Sequence, residues 1–474
     1  MKVFKNYLLN SSYQLLMIII PLITMPYISR VLGPSGIGLN AFTASIIQYF
    51  VMIGSVGIST YGNREIAYNQ RDKVRRSQIF WEITSLRFIT VSLSLLFFFV
   101  FLYFQRVNMT IYLIQGIAIL ASAFDITWYF MGMENFKRTV GRNFLVSILS
   151  VICIFVFVTE SSDLPIYIAI VTGSALIGNI SLWPFLKREV FSPRKQKLRI
   201  KRHLKPTLML FLPQIATQIY LVVNKNMLGI FDSIDSVGFF GQSDSIIKVT
   251  LALVTSLGTV MLPHISNMHS KGDMEGIKKM LSKSFDIMTG LSIPIMFGIM
   301  GVSIRFAPFF FGTDFGIVGR LMFIQAPIII FIAWSNVIGM QYLLPLNKMR
   351  QFTTSVSIGA VLNILINLLL IPLFGLFGAM TATIIAELSV TLYQMHSIKD
   401  EIQLRNMFKG TWKYFLSGFM MFLVLLYLNT HQTMTIPTLI FQIGVGTILY
   451  LLFNIILNSA MYKEVKILFL NLKN

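Results

Sequence analysis

The chain has 474 residues, of which 55% are hydrophobic and only 12% are charged. Soluble domains carry roughly a quarter charged residues, so this composition excludes an ordinary soluble fold. In a bilayer every backbone polar group needs a partner within the protein, which leaves helices or closed β-barrels. The apolar runs lack the strict alternation of a barrel strand. The sequence therefore predicts an all-α integral membrane protein.

The net charge of +20 raises the alternative of a nucleic-acid-binding protein. The basic residues lie in short segments between apolar runs rather than in a folded basic domain, so we expect no nucleic-acid partner. The single cysteine, Cys153, excludes an internal disulfide and a cysteine-based metal cluster, and we interpret it as a small core residue. We expect no cofactor, and no metal site is indicated.

Apolar stretches of about 20 residues predict about 14 transmembrane helices. In chain order they cover residues 6–29, 39–61, 79–104, 110–132, 143–159, 164–186, 206–230, 241–264, 286–311, 318–343, 353–372, 374–397, 412–429 and 436–458.

The distribution of charge predicts how these helices are oriented, because cytoplasmic loops hold an excess of Lys and Arg. Cytoplasmic N- and C-termini put most of the 39 Lys and Arg residues into the tails and alternate loops. The opposite loops carry mainly acids, which are Glu160, Asp163, Asp232, Asp235 and Asp314. These outer loops are short, so a membrane glycosyltransferase or polysaccharide polymerase has no external loop for its acceptor and catalytic acids.

A repeat about two hundred residues apart indicates internal duplication. Ser45-Ile46-Ile47 returns as Ser245-Ile246-Ile247, and a basic residue precedes Leu-Gly at both Gly33 and Gly229. Six spans separate the copies, and an even number gives parallel repeats related by a pseudo-two-fold axis along the membrane normal. We predict an N-lobe (1–190, helices 1–6), a basic cytoplasmic linker (191–205) and a C-lobe (206–398, helices 7–12). Helices 13–14 and the C-terminal tail (399–474) are an appended pair, and the substrate path lies between the lobes.

Several motifs carry a resemblance that covers most of the chain. They are Pro26-Tyr-Ile-Ser-Arg30-Val-Leu-Gly33-Pro34-Ser-Gly36-Ile-Gly38, Gly57-Ile-Ser-Thr-Tyr61-Gly62-Asn-Arg64-Glu65-Ile-Ala67, Asp125-Ile-Thr-Trp128 with Gly132-Met-Glu134, and Leu370-Ile-Pro372-Leu-Phe-Gly375-Leu-Phe-Gly378-Ala379. In this order they resemble the polysaccharide flippases of the O-antigen, capsule and teichoic-acid (Wzx) type. Lipid II flippases and multidrug/oligosaccharidyl-lipid exporters belong to the same superfamily.

The resemblance implies a transporter, not an enzyme, in the bacterial cytoplasmic membrane. Such a flippase moves an undecaprenyl-pyrophosphate-linked oligosaccharide from the inner to the outer leaflet by alternating access, for surface polysaccharide biosynthesis. Its implied partners are this lipid-linked oligosaccharide, membrane lipids, and a polysaccharide polymerase and glycosyltransferases. The alternative is a cation-coupled multidrug exporter of the same fold, and a net-basic cavity argues against it.

Ionisable residues within a span are costly and are candidates for function. The basic ones are Arg30, Arg87, Lys225 and Lys248, which could bind a lipid pyrophosphate. Each has a structural alternative. Arg30 and Lys225 are predicted near the outer interface, where they could serve as anchors. Lys248 lies one turn after Asp244, which could neutralise it. Arg87 is at nearly the same depth as Asp125, which predicts an ion pair.

A coupling ion, Na⁺ or H⁺, is predicted at Glu387, which has no basic residue within two turns of sequence. Asn363 and Asn367, one turn apart, could add oxygen ligands. The alternative is a protonated acid with a structural hydrogen bond, in which case Asp125 and Asp244 are the next candidates. Proline is also expected to interrupt helices 1, 7, 9 and 10, at Pro21, Pro26, Pro213, Pro294, Pro308 and Pro327.

Overall fold

The structure is a computed structural model that describes residues 2–191, 198–460 and 462. Side chains are described for these residues except 2–18, 136–137, 188, 212–217, 219–221, 257, 259–260 and 263. Within this part of the chain the regular structure comprises seventeen α-helices and no strand. The predicted all-α class is therefore confirmed.

Internal contacts divide the chain into two compact units, Met1–Asn226 and Met227–Asn474. The first unit contains α1 (Lys2–Ser55), α2 (Ile58–Tyr68), α3 (Lys73–Phe104), α4 (Met109–Gln115), α5 (Ile117–Ala123), α6 (Thr127–Gly132), α7 (Phe136–Phe157) and α8 (Leu164–Ile180). The next helix, α9 (Lys201–Phe231), runs across the boundary. The division into two six-helix lobes stays a prediction.

The second unit contains the remaining helices. They are α10 (Ile234–Ser270), α11 (Met274–Phe311), α12 (Gly316–Gln325), α13 (Ile328–Ser335) with a π-helix (Asn336–Leu343), α14 (Met349–Ile398), α15 (Leu404–Phe408), α16 (Thr411–His431) and α17 (Ile436–Ile456). The predicted appended pair corresponds to α16 and α17, and both pack on α11. Tyr414 donates to Asp286 Oδ2 over 2.8 Å, and Tyr450 donates to the Gly290 carbonyl over 2.8 Å.

Ten helical segments of the described chain are long and apolar enough to cross a membrane, or eleven if the bent α12–α13 pair is one span. This supports an integral membrane protein, and the total of fourteen spans stays a prediction. Two of the segments, Ile19–Tyr68 and Met349–Ile398, are 50 residues long. A straight helix of that length would be about 75 Å long, more than twice the hydrocarbon thickness.

A glycine breaks each long segment, Gly33 within the predicted connection between the first two spans and Gly375 at the start of the predicted span 374–397. Gly33 has φ 67° and ψ 178°, and Gly375 has φ 53° and ψ −130°. Side chains with a β-carbon rarely adopt such backbone angles. Each glycine therefore ends one helix of α1 or α14 and starts the next, and both belong to the family motifs.

The prolines differ in how far they interrupt their helices. The backbone stays helical through Pro21, Pro26, Pro294 and Pro308. Pro327 lies in a break between helices that are bent by 45°. The side chain of Pro213 lies outside the described residues. The expected interruption is therefore seen at Pro327, whereas the break in α1 occurs at Gly33 because only a glycine readily adopts the required angles.

Two of the motifs pack against each other in the first unit. A β-carbon at Gly62 would lie 2.5 Å from Trp128 Cε3, and one at Gly132 would lie 2.7 Å from the Asn63 carbonyl oxygen. Trp128 is buried and stacks on Phe80 with ring centroids 5.6 Å apart. The close approach of α2 to α6 holds the preceding Asp125 in place on the wall of a cavity.

Candidate functional site

A cavity of about 690 Å³ lies within the first unit, between α1, α2, α3, α7, α8 and the segment 122–127. Most of its wall is apolar, but charged and hydroxyl-bearing side chains interrupt it, and we call it the polar cavity. Eight serine and threonine residues contribute hydroxyl groups to this wall, namely Thr24, Ser55, Ser59, Ser122, Thr127, Ser147, Ser150 and Ser174. Hydroxyls both donate and accept hydrogen bonds, so such a wall suits the hydroxyls of a sugar as well as anionic oxygens.

Arg87 of α3 lies on this wall with its side chain 3% exposed. Its Nη1 is 3.4 Å from Asp125 Oδ2 and also donates to the Asp125 main-chain carbonyl, while Nη2 donates to Ser59 Oγ over 3.0 Å. Asp125 Oδ1 accepts from the Thr127 amide over 2.9 Å and from its hydroxyl over 2.6 Å. The predicted ion pair is therefore present, and Asp125 is held from both sides.

A second arginine, Arg142 of α7, also lines the cavity. Its Nη1 lies 3.4 Å from Asn179 Oδ1, and Asn179 Nδ2 donates to the Ala121 carbonyl over 2.8 Å. The sequence interpretation missed Arg142 because it precedes the predicted span 143–159 and looked like an interfacial residue. A polar stripe along α7, formed by Asn143, Ser147 and Ser150, could have indicated that this face of the helix lines a cavity. All three residues do line it.

The charges of the cavity wall leave an excess of positive charge. Among the described residues of the wall, two guanidinium groups, Arg87 and Arg142, face one carboxylate, Asp125. Arginine binds phosphate and carboxylate through paired hydrogen bonds, and it does so more strongly where water is partly excluded. The cavity can therefore accept an anionic, hydroxyl-rich ligand.

The other predicted basic residues lie elsewhere. Arg30 is exposed on α1 and Lys225 is half-buried on α9, and neither lines the cavity of Arg87. Beside Lys225, Asn226 donates to Tyr49 Oη over 2.6 Å. In the second unit Lys248 Nζ lies 2.6 Å from Asp244 Oδ2, with the Lys248 side chain 50% exposed. The self-neutralising pair foreseen for Lys248 thus exists in the structure, and its role in binding stays a prediction.

The predicted coupling residues lie on the two halves of α14. Asn363 and Asn367 are fully buried, and Asn367 Nδ2 donates to Asn363 Oδ1 over 3.0 Å. Gln394 donates to Ser355 over 3.0 Å, which joins the two antiparallel halves of α14. Because Glu387 lies two turns before Gln394 and Asn363 lies about two turns after Ser355, the two residues are at nearly the same height along the helices. No group of three metal-ligating side chains of the His, Cys, Asp and Glu type occurs in the described chain. The cation site stays a prediction.

A second cavity, which is almost entirely apolar, lies in the second unit between α10, α11, α12, α16 and α17. Its volume is about 590 Å³, and its wall is almost entirely aliphatic and aromatic, with residues such as Leu253, Ile295, Met421 and Leu451. Such a wall accepts a hydrocarbon chain rather than a polar ligand.

The sequence matches two known protein families. The family model described as "Polysaccharide biosynthesis protein" matches residues 3–269, and the model described as "Lipid II flippase MurJ" matches residues 142–453. A relative named "Putative O-antigen transporter" from Escherichia coli is 24% identical over 391 residues, which cover 81% of this chain and 93% of the relative. A "Probable low-salt glycan biosynthesis flippase" from Haloferax volcanii is 26% identical over 179 residues, 38% of each protein.

Solved structures share the fold. A structure of the lipid II flippase MurJ aligns with a TM-score of 0.78 and 16% identity, over 96% of this chain and 99% of that one. An inward-facing MATE multidrug resistance transporter aligns with a TM-score of 0.64 and 13% identity, over 86% and 95%. Since each family model covers more than half of the sequence, the chain belongs to the polysaccharide biosynthesis protein family, within the superfamily of the lipid II flippases, as its motifs indicated.

Proposed function

We propose that the protein is a flippase that moves a lipid-linked oligosaccharide from the inner to the outer leaflet of a bacterial cytoplasmic membrane. The observation that carries the proposal is Arg87, a buried guanidinium on the wall of a hydroxyl-lined cavity inside an apolar helical bundle. The names of the two relatives, an O-antigen transporter and a glycan biosynthesis flippase, point to the same class of cargo.

The cargo has three chemically different parts, and the protein offers a suitable surface for each. Arginines of the polar cavity suit a pyrophosphate, and its hydroxyls and amides suit sugars. The aliphatic cavity of the second unit suits a polyprenyl chain. Arg30, Lys225 and Lys248 are proposed as further sources of positive potential for an undecaprenyl pyrophosphate.

We also propose a membrane orientation, a transport mechanism and a coupling ion. Both termini lie in the cytoplasm, and the protein transports without changing covalent bonds, by alternating access. It receives its cargo from glycosyltransferases and delivers it to a polymerase. Glu387, with Asn363 and Asn367, binds the coupling ion, Na⁺ or H⁺.

The second candidate is a cation-coupled multidrug exporter, which the MATE alignment favours at the level of fold. A cationic drug would meet two arginines and one carboxylate in the polar cavity. Because like charges repel in a site of low dielectric constant, this wall disfavours cationic drugs and favours anionic cargo.

The test is genetic complementation of a strain that lacks the protein. The strain should lose surface polysaccharide and accumulate lipid-linked oligosaccharide on the inner leaflet, with unchanged tolerance to cationic drugs. The parent and Arg138→Gln should restore export, because Arg138 pairs with Glu189 and does not line the cavity. Arg142→Gln should not. Normal surface polysaccharide with raised drug sensitivity would favour the exporter instead.

A further inference from the structure

A buried polar cluster lies where the chain enters α9, outside the cavity. The Glu82 carboxylate of α3 is fully buried. Its Oε1 accepts from the Arg199 amide over 2.7 Å and from Gln78 Nε2 over 2.9 Å. Its Oε2 accepts from Arg202 Nε over 2.9 Å and from Arg202 Nη2 over 2.5 Å, and lies 2.7 Å from His203 Nε2. A single acid of α3 therefore holds residues 199–203, little more than one turn of chain, at the start of α9.

His203 extends the cluster to α2. It is 2% exposed, and its Nδ1 lies 2.8 Å from the Tyr61 hydroxyl. A separation of 2.7 Å between Nε2 and a carboxylate oxygen requires a proton between them, so Nε2 carries the hydrogen. In the neutral ring Nδ1 then accepts from the Tyr61 O–H. The ring has one tautomer in which both contacts are satisfied without a second proton.

The backbone around the cluster is closely packed. A β-carbon at Gly57, which has φ +68°, would lie 3.1 Å from the Thr207 carbonyl oxygen and 3.2 Å from the Phe211 amide nitrogen. Thr207 is fully buried and donates to the His203 carbonyl. The first turns of α9 therefore dock directly on the start of α2, and Glu82 and His203 lie at the end of that contact.

The charges of the cluster balance only while His203 is neutral. Around it lie Tyr61, Arg64 and Glu65 of α2, Glu82 of α3 and Arg202 of α9. Arg202 compensates Glu82, and Arg64 lies 3.9 Å from Glu65. A second proton on His203 would leave one positive charge uncompensated and place an imidazolium 3.2 Å from Arg202 Nε.

We propose that the Tyr61–His203–Glu82 cluster is a proton-binding site, in which uptake of one proton by His203 releases the start of α9 from α2 and α3. In the predicted topology this site faces the cytoplasm, and residues 201–205 precede the predicted span 206–230. Release of α9 in this way does not depend on which cargo is transported, because the hydrogen bonds of the cluster join the start of α9 to α2 and α3.

The direction of the pH effect follows from burial. Burial lowers the pKa of His203, and the hydrogen bond to Glu82 opposes this shift without cancelling it. The released histidine has an ordinary pKa near 6.5. Release therefore takes up a proton, docking is complete above about pH 7, and it weakens as the pH falls through about 6.5. Between pH 7.5 and 5.5 the released fraction should rise about tenfold if docked His203 stays neutral.

Thiol accessibility at Thr207 tests this. The protein carries Cys153→Ala and Thr207→Cys, and a water-soluble maleimide reports exposure of the cysteine in purified protein. The rate is divided by that of Ser270→Cys, an exposed position, which removes the effect of pH on thiol reactivity. We expect the ratio to rise from pH 7.5 to 5.5, by at most about tenfold.

The decisive variant is His203→Gln, whose amide can donate to Glu82 and accept from Tyr61 but cannot titrate. It should keep the low ratio of pH 7.5 at both pH values. His396→Gln, which changes an exposed histidine of α14, is the matched control and should keep the rise of the parent. A flat ratio in the parent, or a rise that persists in His203→Gln, would overturn the proposal.

Discussion

The guanidinium of Arg142 occupies space that a glycine at position 178 leaves open. A β-carbon at Gly178 would lie 2.7 Å from Arg142 Nη1. One helix, α8, thus sets the position of the arginine that α7 contributes to the polar cavity. The sequence has no visible sign of this relationship, because the two residues lie 36 positions apart on different helices.

Gly178→Ala should therefore reduce transport without unfolding the protein. The added methyl group displaces the flexible end of Arg142, at little cost, and alanine stabilises a helix by about 0.5–1 kcal/mol relative to glycine. Gly173→Ala on the same helix is the control, because a β-carbon there meets nothing within 4 Å. Thermal unfolding and export should be measured for both. Equal export by the two variants would show that the position of Arg142 does not matter.

A double-mutant cycle at Arg87 and Asp125 can distinguish a structural role of Arg87 from a role in binding cargo. Removing one partner of a buried ion pair costs about 3–5 kcal/mol, because the other charge is left uncompensated. Arg87→Gln should thus lower thermal stability, and adding Asp125→Asn should restore much of it. If Arg87 binds the cargo, the double variant remains inactive although it is folded. Parent-like export by the double variant would make Arg87 a structural residue.

The predicted topology can be tested by cysteine labelling in a Cys153→Ala background. Ser161, Ser233 and His431 are exposed in the structure, and all three lie in predicted outer loops. Cysteines at these positions should react with an impermeant thiol reagent applied to intact cells. A cysteine at Arg194, which lies outside the described residues, should react only after permeabilisation. Labelling of the cysteine at position 194 from outside would show that the predicted orientation is wrong.

The coupling proposal rests on Glu387 opposite the Asn363 turn of α14. Glu387→Gln keeps the shape of the side chain but cannot become charged. Transport in proteoliposomes should slow and should lose its dependence on an imposed Na⁺ or H⁺ gradient. Asn406→Asp, outside the predicted spans, provides a control for a change of one charge. Unaltered gradient dependence in Glu387→Gln would move the search to Asp125 or Asp244.

Features that depend on local composition could be predicted from sequence. Apolar length identified the all-helical membrane class, and similar depth on antiparallel neighbours identified the Arg87–Asp125 pair. The repeated serines differ in their contacts, since Ser45 contacts the Phe42 carbonyl and Asn226 Oδ1 of α9, whereas Ser245 donates to the Gly241 carbonyl of its own helix. The two-lobe duplication and the count of spans stay predictions.

Features that depend on packing could not be predicted. Arg142 lies at the edge of an apolar run, where a basic residue is expected on topological grounds alone. Glu82 and His203 are 121 positions apart, and His203 falls in the predicted linker, where nothing suggested burial. Proline was expected to interrupt α1, but Gly33 does so, because a proline within a helix removes a hydrogen bond without forcing positive φ.

The central claim is that the polar cavity moves a lipid-linked anionic oligosaccharide across the bilayer. The direct measurement is flipping in proteoliposomes that contain the purified protein and a fluorescent polyprenyl-pyrophosphate oligosaccharide, with an impermeant quencher added outside. We expect the parent and Arg138→Gln to expose inner-leaflet cargo to the quencher, while Arg142→Gln and the folded Arg87→Gln/Asp125→Asn variant do not. Equal rates in all four proteins, or no flipping above protein-free vesicles by the parent, would contradict it.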